Sequence, residues 1–171
     1  MLYLLDASVL ITAHAQYYSV DRVPEFWEWL QYMADKGHVK MPLEIFEEVK
    51  AGPKEKDLLF DWLQVNANKN AILLTDEADP SLVQNVITIG YASDLNDDEI
   101  EQLGRDPFLI AHALAGKDRC VVTVEVSQPK KQRHNKKIPD VCKAMGVQSC
   151  DPFAFSRNLG FSTDWKKKLG V

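Results

Sequence analysis

Several familiar routes to function are closed by what this sequence lacks. It has three cysteines, Cys120, Cys142 and Cys150, an odd number with no Cys-x-x-Cys pair. Neither a disulfide framework nor a zinc ribbon is indicated, and reduced thiols of a cytoplasmic protein are expected. The four histidines, His14, His38, His112 and His134, stand at no metal-ligand spacing. No long apolar run is present. The opening "MLYLLDASVLI" carries Asp6 in its middle and no basic residue before it, so it reads as a buried strand rather than a signal peptide or a membrane span. Low-complexity sequence is absent, and the one recurring element is "DPF", at 106–108 and 151–153.

What is present is the composition of an ordinary globular protein. The chain is 46% hydrophobic and 26% charged over 171 residues, which suits one domain with a real core. The formal net charge of −5 argues against a nucleic-acid partner, but its distribution argues otherwise. Residues 1–104 hold 7 Lys/Arg against 19 Asp/Glu, whereas residues 105–171 hold 13 against 6. The basic third includes "PKKQRHNKK" (129–137), a run that either contacts phosphates or forms a solvated loop.

Short apolar runs alternate with helical patterns. Strands are expected at "LYLLD" (2–6), "HVKM" (38–41), "CVVTV" (120–124) and "VQSC" (147–150), while "AILLT" (71–75) is a strand or an extended link. Between them, "PEFWEWLQYMADKG" places Phe26, Trp27, Leu30 and Ala34 on one helical face and stops at Gly37. In "PLEIFEEVKAGP", which closes at Gly52-Pro53, Leu43, Phe46 and Val49 face the core and Glu44 and Glu48 share the opposite side. "NDDEIEQL" loads acid into a first helical turn. Alternating strands and helices predict an α/β fold, a three-layer α/β/α sandwich around a short, mostly parallel sheet. A helical insertion is expected around 53–104 and a basic loop around 129–137.

Ligands of open α/β sheets bind beyond the carboxyl ends of the strands. Asp6 sits at such an end, with Ser8 two residues on. Glu125 follows the 120–124 strand, and Asp106 opens the helix leading into that strand. Carboxylates gathered there repel one another unless some protonate or a cation is bound, and Mg²⁺ or Mn²⁺ suits oxygen donors and phosphate alike. Blander readings exist for each residue. An Asp before Pro is a ready helix cap, Glu48 and Glu125 can be solvated charges, and Ser8 and Thr123 can bond local backbone. Arg105 can clamp a phosphate or pair with a nearby acid. His112 reads as a buried histidine rather than a base, and Trp27 and Trp62 as core rather than base-stacking residues.

These carboxylates carry a resemblance. "LLDASVLI" resembles the opening of PIN-domain ribonucleases: an apolar strand, Asp, any residue, Ser or Thr, then aliphatics. "MPLEIFEEVKAG" is similar to the second PIN motif, in a register that selects Glu48, with Glu44 or Glu47 as fallbacks. "DPFLIAHAL" resembles the third motif, through Asp106. "VVTVE" resembles the fourth, with Glu125 where the usual acid is Asp. The resemblance spans residues 2 to about 160 and extends to VapC-like toxins of toxin–antitoxin systems. It implies an Mg²⁺- or Mn²⁺-dependent endoribonuclease with Asp6, Glu48, Asp106 and Glu125 as catalytic metal ligands and Ser8 and Thr123 in support. Lys130, Lys131, Arg133, Lys136 and Lys137 are the candidate RNA contacts. An RNA substrate and a cognate antitoxin are the implied partners, no membrane is involved, and a homodimer is compatible. The resemblance assigns no acidic role to Asp151, which is read as a cap.

Rival readings fare worse or stay open. A haloacid-dehalogenase-type phosphatase requires an Asp two residues after the first, where this chain has Ser8. A receiver-type phosphoacceptor requires adjacent acids that are not seen. A non-catalytic PIN-like module binding RNA or protein, and a DNA endonuclease of related fold, remain alternatives.

Overall fold

The computed structural model describes residues 1–51 and 57–171. Five strands form one sheet: β1 (Leu2–Leu5), β2 (Val39–Pro42), β3 (Leu73–Leu74), β4 (Arg119–Val122) and β5 (Gln148–Cys150). Their order is β3-β2-β1-β4-β5 and every pairing is parallel, with Tyr3 opposite Val39 and Cys120 in β4. The helices are α1 (Ala7–Thr12), α2 (Pro24–Asp35), α3 (Leu43–Lys50), α4 (Leu58–Gln64), α5 (Asn66–Ile72), α6 (Pro80–Asn85), α7 (Asp97–Gln102), α8 (Asp106–Leu114), α9 (Ile138–Met145), α10 (Pro152–Asn158) and α11 (Trp165–Leu169). Two of them end in π-helical turns, α1 at Ala13–Tyr17 and α6 at Val86–Tyr91. This is the α/β three-layer sandwich expected from the alternating pattern.

Parallel strands are joined by crossovers that lay helices on both faces, which leaves the strands buried on both sides. Leu4, Leu5, Val39, Met41, Val121 and Val122 are accordingly sealed from solvent. On one side α2 packs against α5 and α11, with a nest of aromatic rings around Phe26, Trp29, Phe155 and Phe161. On the other, α8 packs against α6 and α9. Trp27 is buried and meets the half-buried Trp62 edge-on at 5.1 Å, so both belong to the core.

One open reading is settled and one local expectation needs correction. Leu73–Leu74 leave α5 and pair with β2 as an edge strand, so the 71–75 stretch contains a strand within the otherwise helical segment. The proposed helix stop at Gly52-Pro53 lies outside the described residues. In α3 the buried stripe is Ile45, Phe46 and Val49, and Leu43 is 49% exposed. The helix starts directly at the end of β2, so Leu43 occupies its first turn beyond the sheet edge while the buried Pro42 takes the inward position.

The chain runs β1, β2, β3 to one side and then returns to place β4 on the other flank of β1. The order reverses between β1 and β4, and open α/β sheets form their ligand crevice at the carboxyl ends of such a pair. Asp6 and Thr123 are the residues that directly follow β1 and β4.

Candidate functional site

Asp6 is 7% exposed, and its carboxylate is held across the reversal. The Thr123 hydroxyl donates to Asp6 Oδ2 at 2.8 Å, and the Ser8 hydroxyl donates to the same oxygen. Thr123 Oγ1 in turn accepts the Glu125 backbone N–H at 3.2 Å, which directs its own proton towards Asp6. Although Asp6 precedes α1, its side chain makes no capping bond. Ser8 and Thr123 therefore orient a carboxylate, and Thr123 also bonds local backbone.

The two "DPF" motifs part company here. Asp151 is the N-cap of α10, and its carboxylate accepts the N–H groups of Phe153 and Ala154, both at 2.8 Å. Asp106 is instead the first residue of α8, with Arg105 in the cap position. Burial and the charges of Asp6, Glu125 and Glu48 push Asp106 up to about 7, against a smaller opposite pull from Lys137. Carboxylates from β1, α3, α8 and the end of β4 thus act on one another at a single sheet edge.

Three glutamates on α3 competed for the second motif. Glu47 pairs with Lys50 at 3.3 Å, and Glu44 faces His112 Nε2 at 3.3 Å. Burial and the charge of Asp6 raise Glu48, while Arg105 offsets part of the rise. Glu48, itself exposed on α3, is the one of the three whose charge bears on Asp106. His112 is 1% exposed beneath Glu44, a buried histidine as read from sequence.

Glu125 lies at the same edge but is committed to a structural task. Its Oε1 meets Lys137 Nζ at 2.6 Å, and its Oε2 accepts the Ile138 backbone N–H at 2.8 Å, closing the first turn of α9. The basic run is likewise drawn inward. Arg133, at φ 57°, binds Glu99 through Nε and Nη2 at 2.7 and 2.6 Å and Asp94 Oδ1 through Nη1 at 2.7 Å. Lys136 Nζ donates to the carbonyls of Gly90 and Tyr91, both at 2.8 Å. The Arg133 and His134 bonds and the Asn96 N–H bring Glu99 down to about 2. Arg133, Lys136 and Lys137 are thus braces within the protein, while Lys130 and Lys131 remain exposed.

Sequence reading missed Tyr91. It is 3% exposed, closes the π-helical turn after α6, and has a buried hydroxyl without a hydrogen-bond partner of good geometry. That hydroxyl stands beside Asp106; burial and the Asp106 charge raise the phenol strongly. Gly90 precedes it because a β-carbon there would come within 2.8 Å of Val141 on α9. The "GY" at the end of an apolar helical run was the available signal, and nothing local in it pointed to a carboxylate.

A family model described as a domain of unknown function, DUF4411, matches residues 3–163. The chain belongs to that family. No curated protein and no solved structure matches it. The DUF4411 match includes all four carboxylates, Tyr91 and the 129–137 segment. No helix among the described residues of this DUF4411 chain is long and apolar enough to cross a membrane.

The donor set suits a hard dication. Asp6, Asp106 and Glu48 supply oxygen alone, in a setting where each added negative charge is costly. Among the described residues, no three Asp, Glu, His or Cys side chains already enclose a metal.

Proposed function

We propose that the chain is an Mg²⁺- or Mn²⁺-dependent endoribonuclease of PIN-like type, acting as the toxin of a type II toxin–antitoxin pair in the cytoplasm. What supports the reading is that Asp6 stands at the β1/β4 reversal without capping α1, and that its charge and that of Glu48 bear on Asp106 at the start of α8. The exposed Lys130 and Lys131 and the Arg105 guanidinium supply positive charge for a phosphodiester. Free thiols at Cys120, Cys142 and Cys150 suit a reducing compartment.

Asp6, Asp106 and Glu48 would hold the ion. When bound, the dication supplies charge neutralisation at the phosphate and lowers the pKa of the attacking water. Asp6 is fixed by Ser8 and Thr123, so its free oxygen has one direction to face. Asp106 titrates near neutrality among its neighbouring carboxylates, and a bound dication would hold it ionised as an oxygen donor. Glu125 contributes negative charge while holding Lys137 and α9 in place.

The test is cleavage of a mixed RNA pool by purified protein with and without Mn²⁺, beside Asp6→Asn and Asp106→Asn. Metal-dependent products carrying 5′-phosphates, absent in both variants, are expected. Cleavage at the parental rate in both variants would refute the assignment.

A further inference from the structure

A second feature of the same sheet edge has no place in the metal cluster. A cavity of about 440 Å³ opens beyond the carboxyl ends of β2 and β3, lined in part by Leu43, Glu44, Leu73, Leu74, Asp76 and Phe108. It lies within the size range of small-ligand pockets. Leu43 contributes an aliphatic side chain that α3 leaves half uncovered. Phe108 comes from the first turn of α8, two residues after Asp106. The Arg105 guanidinium stands over the Phe108 ring at 5.8 Å from its centre. Among the described residues Arg105 makes no ion pair, although its charge is felt by Glu48. An exposed guanidinium held on an aromatic ring, between an acidic centre and an apolar cavity, is free to bind an incoming anion in its planar fork.

We propose that this cavity and Arg105 form a nucleotide subsite. The Arg105 guanidinium takes the phosphate next to the scissile one, and the base and sugar enter the cavity. There the base meets Phe108 and Leu43, and the carboxylates of Glu44 and Asp76 accept from sugar hydroxyls or a base amino group. Both acids are already engaged, with His112 at 3.3 Å and Arg119 at 3.4 Å, which leaves each an oxygen to offer. The charges are complementary, cation towards the phosphate and acceptors towards the donor-bearing nucleoside. The subsite rests on the nuclease reading and gives it a direction: the strand leaves the metal centre over Arg105 towards β3.

Methyl NMR of the parent chain in Mg²⁺ buffer, titrated separately with adenosine monophosphate, adenosine and inorganic phosphate, tests this. The monophosphate should shift the Leu43 and Leu74 methyl signals and bind more tightly than either fragment. Arg105→Ala, an exposed site, should weaken it about tenfold or more, and Leu43→Trp, which fills the cavity, should abolish the methyl shifts. Unmoved Leu43 and Leu74 signals, or parental affinity in Arg105→Ala, would overturn the subsite. Parental RNA cleavage by both Arg105→Ala and Leu43→Trp would also overturn it while leaving the nuclease intact. Monophosphate binding here by a chain that cuts no RNA would keep the subsite and remove the nuclease reading.

Discussion

Replacing Asp106 by Asn should stabilise the metal-free protein, and the size of the effect follows from its surroundings. An unfolded aspartate titrates near 3.9, whereas Asp106 in the fold titrates at about 7. Between these values the native state binds more protons than the unfolded one, so stability falls as pH rises through this window. The roughly three-unit separation corresponds to up to about 4 kcal/mol, present at pH 4 and lost by pH 8. Asn keeps the shape and carries no charge to desolvate. Its stability curve should lack this component, and at pH 8 in EDTA the variant should exceed the parent by a few kcal/mol, several degrees in melting temperature for a chain of this size. Urea unfolding of both proteins at several pH values between 4.5 and 8 measures the difference directly. Glu48 is raised in the same direction, so the comparison between the two proteins, rather than the parental slope, isolates Asp106. A variant equal to or less stable than its parent at pH 8 would mean that Asp106 is not held against neighbouring charge.

Thr123→Val removes the proton that orients Asp6 while keeping the shape, and should weaken Mn²⁺ binding by calorimetry roughly tenfold or more; unchanged affinity would leave Thr123 without a role at the site. Tyr91→Phe should also weaken Mn²⁺ binding if the phenol steadies Asp106, and leaving that affinity intact while raising the metal-free melting temperature would mark the hydroxyl as merely unsatisfied. Glu99→Gln loosens the Arg133 brace, so trypsin should cut within 129–137 faster than in the parent, and equal rates would contradict the inward-facing reading of that segment. Alanine at both Lys130 and Lys131 should lower RNA affinity and its salt dependence without changing the melting temperature; unchanged binding would remove them from the interface.

The fold was legible because its signals are local. Buried parallel strands are continuous apolar runs, and helices announce themselves by spacing and by caps such as the Asn96/Glu99 capping box. The two-residue β3 was ambiguous because so short a strand is defined by its pairing with β2, a long-range fact. At the site, Asp6 was readable as a carboxylate at a strand end. Asp106 and Asp151 were not separable by their "DPF" context, since the difference is whether the helix begins at the aspartate or after it. Glu125 and the basic run were legible only as charges for the same reason: composition cannot say whether a Lys reaches solvent or turns back onto a carbonyl, as Lys136 does. Tyr91 was invisible because its partner lies on another helix.

The central claim is that Asp6 and Asp106 meet to hold one hard cation. Anomalous diffraction from crystals grown with Mn²⁺ tests it most directly. A manganese peak bonded to a carboxylate oxygen of each residue, at roughly 2.1 Å, is predicted, with Glu125 still on Lys137. A peak on other residues, or no peak at this edge while the nuclease remains active, would contradict it.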